Sequence, residues 1–203
     1  MELVVICDTS NRFASMCVAA SKASHRRHIP AIDKSFHVDM AQPERVSLAV
    51  RVALMNNSLG DHFILTTDTT FITAPFDIGV LRQREKFALR KGQSTEAMVK
   101  TIGYLLDNGL PTFDYELDVP LIVNRKMAEQ ALAVEGSDDM HFRTLYCNMW
   151  FNGGERTPDP YIDIWTHNMD PAGPVVSLGQ TAIRHQQCKK WITRLLEDAP
   201  IPA

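Results

Sequence analysis

The sequence lacks the signatures of the common catalytic classes. Neither a Gly-x-Ser-x-Gly nucleophile turn nor a Gly-x-x-x-x-Gly-Lys phosphate loop occurs in its 203 residues, so a serine-hydrolase elbow and a P-loop are excluded. Its four cysteines, Cys7, Cys17, Cys147 and Cys188, include no Cys-x-x-Cys pair, the spacing of structural zinc and dithiol redox sites. No two histidines have zinc-protease spacing, and His25 and His28 flank Arg26 and Arg27, which repel a cation. Charge of one sign is not in excess: the formal net charge is -3, too small to favour nucleic acid through a global field. No apolar run approaches the length needed to span a bilayer. Residues 1–7 are apolar but lack a charged start and are too short for a secretory leader, which implies a reduced, cytoplasmic protein. There is no internal repeat and no low-complexity tract.

What remains is ordinary globular composition, 45% hydrophobic and 22% charged residues, enough to build one domain with a full core. Leu3-Val4-Val5-Ile6-Cys7 reads as a strand buried on both faces and Asp8-Thr9-Ser10-Asn11 as the loop after it. Phe13, Met16, Cys17 and Ala20 then recur at helical spacing over about 12–24. Strand followed by helix opens an α/β sheet. A short strand fits 35–38. Pro43, favoured in a first helical turn, starts a helix running to about Asn56. Phe63-Ile64-Leu65 is a short buried strand that leads to Asp68. The spacing predicts helices over Thr95–Asn108, closed by Gly109 in a left-handed conformation, over 125–134 and over 181–196, and a strand at 121–123. Residues 152–175, rich in Gly, Pro and Asp, read as loop.

Three polar clusters sit beside rigid apolar segments. Asp68 follows a strand, where open α/β sheets bind ligands; it either starts a turn on its own backbone or holds a metal. Asp114, Glu116 and Asp118 precede Pro120 and can act as metal ligands or as a general base. Arg143 is the one cation of an otherwise apolar and aromatic stretch, and its planar fork suits a phosphate or one of these acids. Two basic stretches, Lys22–His28 and Arg82–Lys91, read as solvated faces or as contacts to an anion.

The order of segments resembles the small, often phage-encoded glycosyltransferase-like proteins related to the Stealth sugar-phosphate transferases. Four stretches carry the likeness. Asp61-His62-Phe63-Ile64-Leu65-Thr66-Thr67-Asp68-Thr69-Thr70-Phe71 corresponds to an apolar strand ending in Asn-Asp-Asp before an apolar pair. Asp114-Tyr115-Glu116-Leu117-Asp118-Val119-Pro120-Leu121 corresponds to an aromatic residue, a spacer and His-x-Pro. Phe142-Arg143-Thr144-Leu145-Tyr146-Cys147-Asn148 is similar to Arg-[Ser/Thr]-x-Tyr-x-Asn. From Val176 to Pro200, a strand-like segment containing a serine precedes a final helix and proline. Thr69 stands where the family usually has a second acid, and Asp118 where it usually has histidine.

The resemblance implies a single α/β domain with a Rossmann-like, GT-A-type mixed sheet flanked by helices. Residues 1–75 would form the nucleotide-sugar half and residues 76–203 the acceptor half. It implies transfer of a sugar or sugar phosphate from a nucleotide sugar, with Mg or Mn held by Asp68 and Asp118 neutralising the departing pyrophosphate. Arg143 would add charge stabilisation, and Asp118 or Glu116 would deprotonate the acceptor hydroxyl. Asp8 and Arg12, at the loop after the first strand, would contact the nucleotide together with Asp68. The acceptor, whether glycan, protein or nucleic acid, stays open. A member of this fold that binds without turnover is the alternative, to which the run of threonines around Asp68 points.

Overall fold

The computed structural model describes residues 3–8, 26–32, 42–55, 60–66, 70–75, 77–83, 95–166, 169, 171 and 173–198. The architecture is mixed α/β. In chain order the elements are β1 (Leu3–Asp8), β2 (Arg26–Ile32), α1 (Gln42–Met55), β3 (His62–Leu65), β4 (Thr70–Ile72), β5 (Arg82–Gln83), α2 (Glu96–Asp107), β6 (Leu121–Asn124), α3 (Arg125–Leu132), α4 (Phe142–Trp150), β7 (Glu155–Arg156), β8 (Tyr161–Ile162), β9 (Val175–Leu178), α5 (Gln180–Arg184) and α6 (Gln186–Asp198). Among the described residues the strands pair as four small ladders. β1 and β2 are parallel, β3 and β6 antiparallel, and β5 and β7 parallel. The fourth has the order β4-β9-β8, with β9 antiparallel to β4 and parallel to β8. No helix of the described residues is long and apolar enough to cross a membrane.

Local signals explain most of these elements. Thr95 caps α2, its hydroxyl accepting Met98 N–H at 3.2 Å, and the helix closes through Gly109 at φ 66° with Leu110 N–H on Leu105 O, as the Asn-Gly pair predicts. Asn124 ends β6 and caps α3, accepting Met127 N–H at 3.1 Å. Three expectations change. The Arg26–His28 part of the first basic stretch is strand, the start of β2, paired with β1 from Leu3↔Arg26 onward. The last helix is divided: His185 takes an extended backbone after α5, and its ring Nδ1 accepts Gln187 N–H at 3.3 Å, which starts α6 afresh. Within 152–175, β7 and β8 form short strands. The helix expected over 12–24 and the strand over 35–38 lie outside the described residues.

Two apolar cores and a seam between them position the site. The first gathers Val50 of α1, Val123 of β6, Ala128 and Leu132 of α3, and Phe142, Tyr146 and Cys147 of α4, with Tyr115 between them. The second gathers Phe71 of β4, Val176 and Leu178 of β9, Cys188 and Trp191 of α6, and Trp165. Burying each such large side chain contributes about 1.5–3 kcal/mol. The seam is Leu117, Val119 and Val175. It sets one face of the β4-β9-β8 sheet against residues 117–119, the turn that carries Asp118.

Candidate functional site

The extended segment 113–119 is docked along α4 by Arg143, Thr144 and Asn148 of the Arg143-Thr144-x-Tyr146-x-Asn148 run. Asn148 accepts Phe113 N–H at 2.9 Å and returns a bond from Nδ2 to Phe113 O at 2.8 Å, as a neighbouring strand would. Thr144 Oγ1 accepts Tyr115 N–H at 3.3 Å and donates to Glu116 Oε1 at 3.1 Å. Tyr146 Oη accepts Asn124 N–H at 2.9 Å. Arg143 donates from Nη1 to Leu117 O at 2.9 Å and to Val119 O at 2.6 Å, and from Nη2 to Leu65 O at 3.2 Å. Buried polar groups need such partners, and here most of the partners are backbone atoms distant in sequence.

One consequence is geometric. The guanidinium joins the C-terminal end of β3, where the chain heads toward Asp68, to the turn around Asp118. Arg143 is 7% exposed. It spends three N–H groups on carbonyls of the five that a guanidinium carries. It also lines a cavity of about 310 Å³ together with Tyr115, Tyr146, His62, Arg82 and Phe151. Among the described residues the lining contains no carboxylate, so an anion entering it meets the cations Arg143 and Arg82 there.

The electrostatics centre on the N-terminus of α4. Glu116 Oε1 accepts Thr144 N–H at 3.0 Å, capping the helix from a different segment and complementing its dipole. Glu116 Oε2 lies 3.5 Å from His141 Nδ1. Burial favours the neutral acid, but the hydrogen bond and charge of His141, the charge of Arg143 and the Thr144 N–H outweigh it and hold the Glu116 pKa below its usual value. Burial likewise opposes the His141 imidazolium, and Glu116 and Asp114 overcome it, so the His141 pKa is raised. Burial lowers that of Arg143 against the pull of Glu116, Cys147 and Asp118; the group stays charged at ordinary pH. Burial pushes the Tyr115 hydroxyl up to about 12 and the Cys147 thiol upward as well, which makes Cys147 a core residue and no nucleophile.

The candidate residues divide as follows. Glu116, Asp118 and Arg143 come together, both carboxylates acting on the guanidinium. Glu116 is spent on the cap and on His141. Asp118 is half-buried, and among the described residues no hydrogen bond or ion pair engages its carboxylate. Asp8 is the last residue of β1. Arg12, Asp68 and Thr69 lie outside the described residues, as do residues 84–91 of the second basic stretch. Among the described residues no three His, Cys, Asp or Glu side chains are gathered as a metal cluster. Sequence reasoning missed His141, which pairs with Glu116, and missed that the Arg143 motif forms a helix. The polar pair Thr144 and Asn148, four residues apart in an apolar run, is the signal that would have found the helix face. Comparisons with protein-family models, with curated proteins and with solved structures returned no match.

Proposed function

We propose that the chain is a glycosyltransferase-like enzyme that transfers a sugar or sugar phosphate from a nucleotide sugar at a GT-A-type site, assisted by a divalent ion. The observation that carries this reading is the convergence of four sequence stretches on one turn. Arg143 binds Leu65 O and Val119 O at once, and Val175 packs on Leu117 and Val119. The strand leading to Asp68, the Asp118 turn, the Arg143 helix and the serine-bearing strand therefore meet. Asp118 is the half-buried acid left unpaired there, suited to a divalent cation or to the proton of an acceptor hydroxyl. The cavity lined by Arg143 and Arg82, without a carboxylate among the described residues, suits the donor's phosphates. A bound divalent ion would supply charge neutralisation of the leaving pyrophosphate.

The test is calorimetry and turnover against a panel of nucleotide sugars with and without manganese. Metal-dependent binding with donor hydrolysis is expected, together with loss of turnover in Asp68→Ala and Asp118→Asn at unchanged unfolding temperature. Turnover that survives both substitutions would remove the reading. A second reading, binding without turnover, is favoured by one observation: Arg143 gives three of its donors to the backbone, so much of its role is to hold the fold. Nucleotide-sugar binding that is indifferent to manganese and yields no product would select it.

A further inference from the structure

The cavity of about 310 Å³ beside Arg143 is mostly apolar. Burial orders its lining. Arg143, Tyr115, Tyr146 and Cys147 are buried and form the floor, whereas Ile122 and Phe151 are exposed and stand at the mouth. Tyr115, Tyr146 and Phe151 supply aromatic walls, the last two with ring centroids 6.1 Å apart. Val80, Leu81 and Val119 supply aliphatic ones. A phosphate by itself gains nothing from such walls, because apolar surface rewards only an apolar partner. Ile122 and Phe151 hold large apolar side chains in water at the rim, and a ligand covering them would remove that surface from solvent.

Two polar groups on the floor are incompletely used. Arg143 gives three N–H groups to Leu117 O, Val119 O and Leu65 O, and the remaining N–H groups of the guanidinium suit the paired oxygens of a carboxylate or a phosphate. Glu116 and Asp118 act on the same guanidinium, but neither lines the cavity. Tyr115 is 2% exposed. Its hydroxyl has Gly153 N–H beside it but completes no hydrogen bond among the described residues, so the O–H proton has no acceptor there. A buried group in that state calls for a partner, and an anion is an acceptor. Volume sets the size of the rest of the ligand. An apolar cavity of about 150 Å³ takes one benzene; this one has about twice that space, enough for roughly two fused rings.

We propose that this cavity binds a small aromatic anion, its ring system between the aromatic and aliphatic walls and its carboxylate or phosphate on Arg143 and the Tyr115 hydroxyl. Apolar burial supplies the affinity and the anionic head fixes the orientation, the division of labour usual in small-molecule sites. Such binding goes beyond the transfer reaction: it needs neither a metal nor turnover, and shares with that reading only the cavity and its Arg143.

Naphthoate, naphthyl phosphate, naphthalenemethanol and inorganic phosphate are the probes, titrated into the full chain by calorimetry without added metal. The expected result is one site for the naphthyl anions. Naphthalenemethanol, which lacks the charge, and inorganic phosphate, which lacks the rings, should each bind at least about tenfold more weakly, the scale of one charge-assisted hydrogen bond or of a buried ring. The better bound of the two anions names the head, and either keeps the site. Ile122→Trp, which fills the mouth from an exposed position, should weaken naphthyl binding by at least about tenfold at a level unfolding temperature. Tyr115→Phe should weaken it several-fold while the unfolding temperature stays level or rises, because the hydroxyl proton has no acceptor to lose. Absence of binding by both naphthyl anions overturns the site, as does naphthalenemethanol bound as tightly as they are, or affinity unchanged in both variants. The two readings fail separately. Naphthyl binding by a chain without nucleotide-sugar turnover ends the transferase and keeps this site. Turnover by a chain that binds neither naphthyl anion ends this site and keeps the transferase.

Discussion

Glu116 and His141 meet at the N-terminus of α4, carboxylate to imidazole at 3.5 Å, with Thr144 N–H and Oγ1 on the other carboxylate oxygen. The pKa of Glu116 is lowered and that of His141 is raised. The stability from Glu116 is therefore present above the unfolded carboxylate value of about 4.3 and is lost as pH falls through the lower folded one. The stability from His141 is complete below the unfolded imidazole value of about 6.5 and is lost as pH rises through the higher folded one. Both contribute between roughly pH 4.3 and 6.5. Urea unfolding across pH should show this group's contribution largest in that interval. Glu116→Gln should remove about 1–3 kcal/mol of it, and His141→Gln should flatten the alkaline side and, by removing the main influence that lowers the Glu116 pKa, weaken the acid side as well. Equal losses at pH 5 and pH 9 in His141→Gln would contradict the pairing.

Arg143 is a fastener as well as a candidate phosphate contact. Its bonds to Leu65 O, Leu117 O and Val119 O tie β3, the Asp118 turn and α4 together, and no other residue type carries a planar fork that reaches all three. Arg143→Lys should therefore cost about 2–4 kcal/mol in urea unfolding, from carbonyls left without a donor, although the charge is kept. Any loss of ligand binding in this variant should be accompanied by that loss of stability. Full stability in Arg143→Lys would show that the carbonyls are satisfied by other means.

Much of this arrangement was legible in the sequence, for physical reasons that differ from place to place. The helix over 96–107 was marked at both ends, by Thr95 and by Asn108-Gly109, whose effects are local. The β3 strand was marked by its apolar run, although it is half-buried and not the buried strand expected, with Ile64 exposed. The Arg143 helix was hidden, because seven consecutive residues from Phe142 to Asn148 are buried and only the spacing of Thr144 and Asn148 marks a helix face among them. The pairing of Glu116 with His141 was hidden for another reason: nothing local signals a contact made across 25 positions by the docking of one segment on another. Asp163 reads as one acid in a loop, since its place beside Tyr161 and Gly179 comes only from the register of β8 on β9. Arg82, read as part of a solvated basic face, instead donates to Asp77 O at 2.6 Å and to Val80 O at 2.9 Å and folds its own loop against the cavity.

Gly179 offers a way to disturb the sheet face without touching a carboxylate. Its φ of -69° is open to any residue, so alanine meets no backbone strain. The cost is steric alone, because the new methyl would fall on Tyr161 Oη and Asp163 Oδ1, which must give way. Both atoms are the ends of exposed side chains, and such ends move at low cost, so Gly179→Ala should change the unfolding free energy by no more than about 1 kcal/mol. Urea unfolding of Gly179→Ala beside the unsubstituted chain checks this. Level stability is the expected pattern, whereas a loss well beyond about 1 kcal/mol would mean that the Tyr161 and Asp163 side chains are held over Gly179 and do not move aside.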